Sequence, residues 1–233
     1  MSDLARFEGL KKLSEEPFFG QLAKLEVELQ TPVDLPPTAP AARLLAEISA
    51  QSDGSGLAEV DMIRVLALVL PKREAVWWSC LAGRDLVGHE TELTEGPLAA
   101  AEAWVFKPCD ERRAAAFEAA GAAKPTDDTA LAAMAAVYST GTMGPGDLDA
   151  METPAGMFSN AVFGMVMTSL EAAPEDADLP WLTMLVERGL DIARGGNGRS
   201  VELLLPEPVE EDDGLDDEDD EDDEEGSAAQ KPA

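Results

Sequence analysis

Leu66-Ala67-Leu68-Val69-Leu70-Pro71-Lys72-Arg73-Glu74-Ala75-Val76-Trp77-Trp78-Ser79-Cys80-Leu81 holds the densest apolar content of the chain and two of its four tryptophans. Before Pro71 the run Val60–Leu70 is apolar nearly all round, interrupted only by Asp61 and Arg64, which marks a helix buried on most sides. Proline removes a backbone donor and breaks that helix, and Arg73–Leu81 reads as the next one, with Gly83 as its C-terminal cap. With Ala, Leu and Glu abundant and β-favouring residues scarce, the chain reads as mostly α-helical.

The pattern returns 37 residues later. Leu98–Phe106 carries Trp104, Pro108 breaks it, and Asp110–Ala120 follows with Gly121 as cap. The period suits helical repeats, although two unequal copies fall short of the three or more that a solenoid needs. Both a short HEAT-like array of helix pairs and an irregular helical bundle satisfy the pattern.

Further helices are expected over Ala41–Ala50, from Asp127 or Asp128 to Tyr138, after Thr153-Pro154, and from Asp178 with Pro180 in its first turn. Apolar stripes support the last two. Phe158, Val162, Met165, Val166 and Ser169 share one face, as do Trp181, Leu182, Leu185, Val186 and Leu190. Ser14-Glu15-Glu16-Pro17 reads as another helix start. Leu25-Glu26-Val27-Glu28-Leu29 alternates like a half-exposed strand, and also fits the end of a helix from Pro17. Its strand partner would be Val201–Leu205, giving one small two-stranded β element. The four prolines of residues 31–40 make an extended connector inside a single domain over 1–206.

After Pro206 the composition changes. Residues 207–225 hold 15 carboxylates, so 207–233 reads as a disordered acidic tail. Formal charge is −30, and residues 1–206 still carry 32 acids against 16 bases. A field of that sign disfavours nucleic acid and anionic lipid, and favours a protein partner with a basic surface. No apolar run reaches the roughly 18 to 20 residues of a membrane span, and the N-terminus has no signal-peptide core, so a cytoplasmic protein is expected. There Cys80 and Cys109 are read as reduced, buried thiols.

No cofactor or metal is expected. The single histidine, in Gly88-His89-Glu90-Thr91-Glu92, lacks the second histidine at helical spacing that a zinc protease uses, and it is read as a polar surface turn. Gly141–Gly146 and Arg194–Ser200 match phosphate loops in glycine content only. The acidic run around Gly214 fails the calcium-loop order, because Val209 stands at the first ligand position. Trp77 shares a helical face with Cys80, Leu81 and Arg84, and Trp78 lies about 100° away. Core packing of both rings is the favoured reading, with Arg73 and Glu74 forming an ion pair that fixes the corner.

Leu70-Pro71-Lys72-Arg73-Glu74-Ala75-Val76-Trp77-Trp78 resembles the Leu-Pro-x-Arg-x-Ala-Val-Trp-Trp core of a bacterial family of unknown function, numbered 6931. Ala101–Ala120, with Trp104, Pro108 and Arg112 or Arg113, is similar to its weaker second block. The resemblance implies an all-helical fold, an association with type VI secretion loci, and no catalytic residue.

Three functions stand against these observations. A non-enzymatic adaptor, chaperone or regulatory accessory protein leads, with Pro71, Arg73, Glu74, Trp77, Trp78 and Trp104 as its candidate structural or interaction corner. An acidic mimic that occupies a basic nucleic-acid-binding surface is the first alternative. The second is an enzyme built on Arg73, Glu74 and His89, which requires a concave polar pocket beside Trp77 and Trp78.

Overall fold

In the computed structural model, which describes residues 3–204, Leu70 and Pro71 separate two helices as proline chemistry demands. Leu70 is extended at ψ 140°, the conformation forced on a residue before proline, and Pro71 itself leads into the next helix at ψ 148°. The described residues form eight α-helices: α1 (Ala41–Ser49), α2 (Leu57–Val69), α3 (Lys72–Val87), α4 (Pro97–Phe106), α5 (Asp110–Ala122), α6 (Ala130–Tyr138), α7 (Met157–Thr168) and α8 (Asp178–Arg194). Short 3-10 turns cover Asp3–Phe7, Phe19–Leu25, Gly146–Ala150 and Ser169–Ala172.

The helices make one irregular bundle with a continuous core. α3 runs through its middle, against α4, α6, α7 and α8. α4 packs on α5, whereas α2 finds its neighbours in α1, α7 and α8. The two proline-linked pairs are therefore packed differently, and the similarity at period 37 is local.

α2 is buried nearly all round and carries two buried acids, Glu59 and Asp61. Asp61 is sealed from solvent and accepts the backbone N–H of Thr31 at 2.7 Å, which pins the start of the proline-rich connector. Arg64 lies over the Phe163 ring on α7, 4.1 Å from its centroid. Two glycines serve approach of helices rather than turns. A Cβ on Gly189 of α8 would stand 2.9 Å from Leu66 Cδ1 and 3.2 Å from the Trp78 ring, and one on Gly83 would stand 3.0 Å from Leu98. Bare backbone at these points lets α8 close on α2 and α3, and α4 on α3.

Several expectations change. Gly83 and Gly121 lie inside α3 and α5, and the residue that ends α3 is Gly88, at φ 97°. Ser14–Pro17 starts no helix; Ser14 Oγ accepts the Glu16 N–H, and Pro17 pairs with Pro40 in an isolated bridge. Residues 26–29 and 201–204 form no strand pair. Glu26 adopts the left-handed conformation at φ 54°, which ends any alternation there, and Val27 and Leu29 pack onto the core. Leu205 and the acidic run 207–233 lie outside the described residues. The stripes of α7 and α8 are buried as their spacing required. No helix among the described residues is long and apolar enough to cross a membrane.

Candidate functional site

Arg73, Trp77, Leu81 and Arg84 recur at the spacing of one α-helical face, and on α3 that face opens into a groove of about 810 Å³. α4 supplies the opposite bank through Glu102, Val105 and Phe106. The end of α8 and the loop after it close the third side with Ile192 and Gly195–Asn197, and Arg199 stands at the mouth. Lys12, His89 and Glu90 form the rim.

The walls are held by paired groups. Arg73 Nε donates to the carbonyl of Val105 at 2.7 Å, satisfying an acceptor in the last turn of α4. Arg84 makes a fork-to-fork pair with Glu102, at 2.6 and 2.7 Å, and also donates to the Thr91 carbonyl. The expected Arg73–Glu74 pair does not form, because neighbours on a helix point about 100° apart. Glu74 instead takes Lys12 at 2.6 Å, and the Lys12 N–H donates to the Ala193 carbonyl, so the N-terminal segment is clamped to α3 and α8 together.

Trp77 and Trp78 part company. Trp78 is 0% exposed and stacks beneath Gly189. Trp77 is half-buried in the groove; its indole N–H donates to the Asn197 carbonyl at 2.8 Å, and the Arg199 guanidinium lies over its ring at 4.9 Å. Core packing of both rings is therefore corrected for Trp77. Of the candidate corner, Arg73, Glu74 and Trp77 line the groove; Pro71 makes the bend, and Trp78 and Trp104 are core residues.

Model comparison adds the family. A family of unknown function, DUF6931, matches residues 50–193. The chain belongs to DUF6931. Comparison with curated proteins and with solved structures finds no match. The DUF6931 segment contains the α3 face, the α4 bank and Ile192, while Lys12 and the Gly195–Arg199 loop are supplied from outside it.

The electrostatics of the groove run against the rest of the molecule. Lys12, Arg73, Arg84 and Arg199 outnumber Glu74, Glu90 and Glu102 there, on a chain whose formal charge is −30. The terminal nitrogens of Arg73 and the guanidinium of Arg199 have no hydrogen-bond partner among the described residues. The floor of Leu81, Val105 and Ile192 is apolar, and Phe106 at the edge is 82% exposed.

At the rim, His89 Nε2 meets Asp85 Oδ1 at 2.8 Å, and Asp85 Oδ2 is held by Arg188 Nη1 at 2.5 Å. The Asp85 side chain is 4% exposed and that of Arg188 is 9% exposed. The histidine is thus a surface residue, as its turn sequence suggested, fixed by a buried carboxylate. Burial pushes the Cys80 thiol well above its ordinary range, with Glu102 adding to the rise, which favours the neutral thiol at this buried position. Phe106, Arg199 and Lys12 escaped the sequence reading, because nothing local marks residues that a groove gathers from three separate segments.

Proposed function

We propose that the chain is a non-enzymatic protein-interaction module, an adaptor, chaperone or regulatory accessory subunit of a bacterial multi-component system of the type VI secretion kind. The observation that supports it is the groove itself: an oriented Trp77, two guanidiniums with open donors and an exposed Phe106 around an apolar floor. Tryptophan and arginine are the side chains that most often anchor binding energy, and exposed aromatics are enriched where partners dock. The acidic remainder of the surface steers partners that carry a basic face and raises their encounter rate.

The test is affinity capture from the native host with the full chain and with Arg199→Glu, a substitution at the groove mouth. Loss of a defined partner set with Arg199→Glu, and its retention with a charge reversal remote from the groove such as Arg43→Glu, supports the reading. Equal capture by all three proteins refutes it.

A second reading, an enzyme at the same place, is favoured by one observation: His89 lines the groove on the end of an Asp85–Arg188 support. A carboxylate that holds an imidazole by one nitrogen leaves the other to act as a base. His89→Gln separates the readings, since it removes a base and leaves the Trp77 anchor and its partner in place.

A further inference from the structure

The chain passes the groove at Arg199 and then runs along α8, where Val201, Glu202 and Leu204 lie beside Leu179, Thr183 and Glu187. The described residues stop at Leu204, near the first turns of α8, with 29 residues still to follow. α8 has 17 residues, about 25 Å of helix at 1.5 Å per residue, so the groove at its far end is close at hand. Leu215 is eleven residues beyond Leu204, about 36 Å of extended chain at roughly 3.3 Å per residue. It can reach.

The chemistry of that segment matches the groove. From Glu210 to Glu225 every residue is acidic except Gly214 and Leu215, so Leu215 is a lone aliphatic side chain with Asp212, Asp213, Asp216 and Asp217 around it. The groove offers the complement: an apolar floor of Leu81, Val105 and Ile192 between the terminal nitrogens of Arg73 and the guanidinium of Arg199, neither of which has a hydrogen-bond partner among the described residues. On a chain with a formal charge of −30, the groove lining carries more cations than acids.

We propose that the groove is a docking site for an acidic segment bearing one apolar anchor, and that Glu210–Asp217 of the same chain, centred on Leu215, occupies it. The proposal rests on the reading of the groove as an interaction site. Leu215 covers the floor, and the carboxylates on either side of it meet Arg73 and Arg199. Tethering keeps this internal ligand at an effective concentration of order millimolar, so a partner segment must carry the same chemistry and outcompete it. A partner with a basic face draws the acidic run away and frees the groove, which couples capture by the tail to docking at Trp77.

The experiment uses a fluorescein-labelled peptide with the sequence of residues 207–220. It is titrated with the full chain, with a full-chain variant carrying Leu215→Ser and Asn in place of Asp212, Asp213, Asp216 and Asp217, and with Arg73→Glu and Arg199→Glu placed in that variant. The tail variant is expected to bind the peptide at least about tenfold more tightly than the unaltered chain, as removal of a tethered competitor requires. Each arginine reversal should abolish that binding. Arg199→Glu covers the case in which Arg73→Glu disturbs the Val105 contact.

Equal affinity for the unaltered chain and the tail variant overturns the proposal, as does no binding to either or indifference to both arginine reversals. Self-association of the unaltered chain in sedimentation, lost in the tail variant, overturns it too, because the occupant is then the tail of a second copy. Partner capture that depends on Arg199 while peptide affinities stay equal removes the tail as occupant and leaves the interaction reading standing.

Discussion

Trp77 donates its indole N–H to the carbonyl of Asn197 at 2.8 Å, joining the central helix to the loop beyond α8 across 120 residues of sequence. That bond, with Arg199 over the ring, fixes the orientation of an aromatic side chain that solvent can reach. The next residue, Trp78, has the opposite position: fully buried, with no partner for its own N–H among the described residues, and held by packing alone. One step along a helix turns a side chain by about 100°, enough to separate a groove wall from a core.

The two tryptophans should therefore respond differently to removal. Trp78→Ala should cost roughly 3 to 5 kcal/mol, the range for truncation of a large buried aromatic. Trp77→Ala loses partly exposed area and one hydrogen bond, roughly 1 to 2 kcal/mol. Urea unfolding followed by circular dichroism measures both, and equal costs would mean that the two rings share one environment.

Gly189→Ala should destabilise despite the better helix propensity of alanine. That propensity gains about 1 kcal/mol in a helix interior. Against it, the new methyl meets Leu66 at 2.9 Å and Trp78 at 3.2 Å in a filled core, and overpacking of this kind costs roughly 1 to 3 kcal/mol. A lowered urea midpoint is expected; a raised one would show that Leu66 yields freely.

Asp149 gives a pH signature. Arg113, buried at the junction of α5 and α6, donates to the Val137 carbonyl at 2.7 Å and to Asp149 Oδ1 at 3.0 Å. Its guanidinium, with the Thr142 hydroxyl, holds the Asp149 carboxyl below its ordinary value of 3.8. A depressed folded-state value contributes stability above the unfolded value, and that contribution is lost as pH falls through the folded one. Asp149→Asn should thus lower the urea midpoint at neutral pH and narrow the gap from the unaltered chain below pH 3.8, a small effect because the Asp149 side chain is 62% exposed. A gap that stays constant over this range would exclude the charge as its source.

Thiol chemistry should separate the two cysteines. Cys80 is sealed beneath the groove with its thiol value pushed up by burial, while Cys109, at the start of α5, is half-exposed. Iodoacetamide should label Cys109 in the native protein and spare Cys80 until denaturant is added. Early labelling of Cys80 would mean that α3 and α4 separate readily.

Much of this fold is legible in residue order. The start of α8 follows from Asp178 with Pro180 behind it, and the corner of α2 and α3 from Pro71. Local rules fail where distant contacts decide. Gly83 looks like a cap and serves instead as the place where Leu98 crosses, and Pro17 looks like a first-turn proline but is held in a bridge to Pro40. One wall of the groove is readable as the spacing of Arg73, Trp77, Leu81 and Arg84. The other walls are not, because Phe106, Arg199 and Lys12 have no periodic relation to that face and meet it only after folding.

On the proposed reading, Trp77 anchors a partner while Trp78 holds the core. Its most direct measurement is quantitative co-purification from the native host with the full chain and with Trp77→Ala, each first shown by thermal melting to be folded. The expected result is a partner set lost with Trp77→Ala while the melting transition shows that protein folded at the capture temperature. An unchanged partner set on a folded Trp77→Ala protein would contradict the reading.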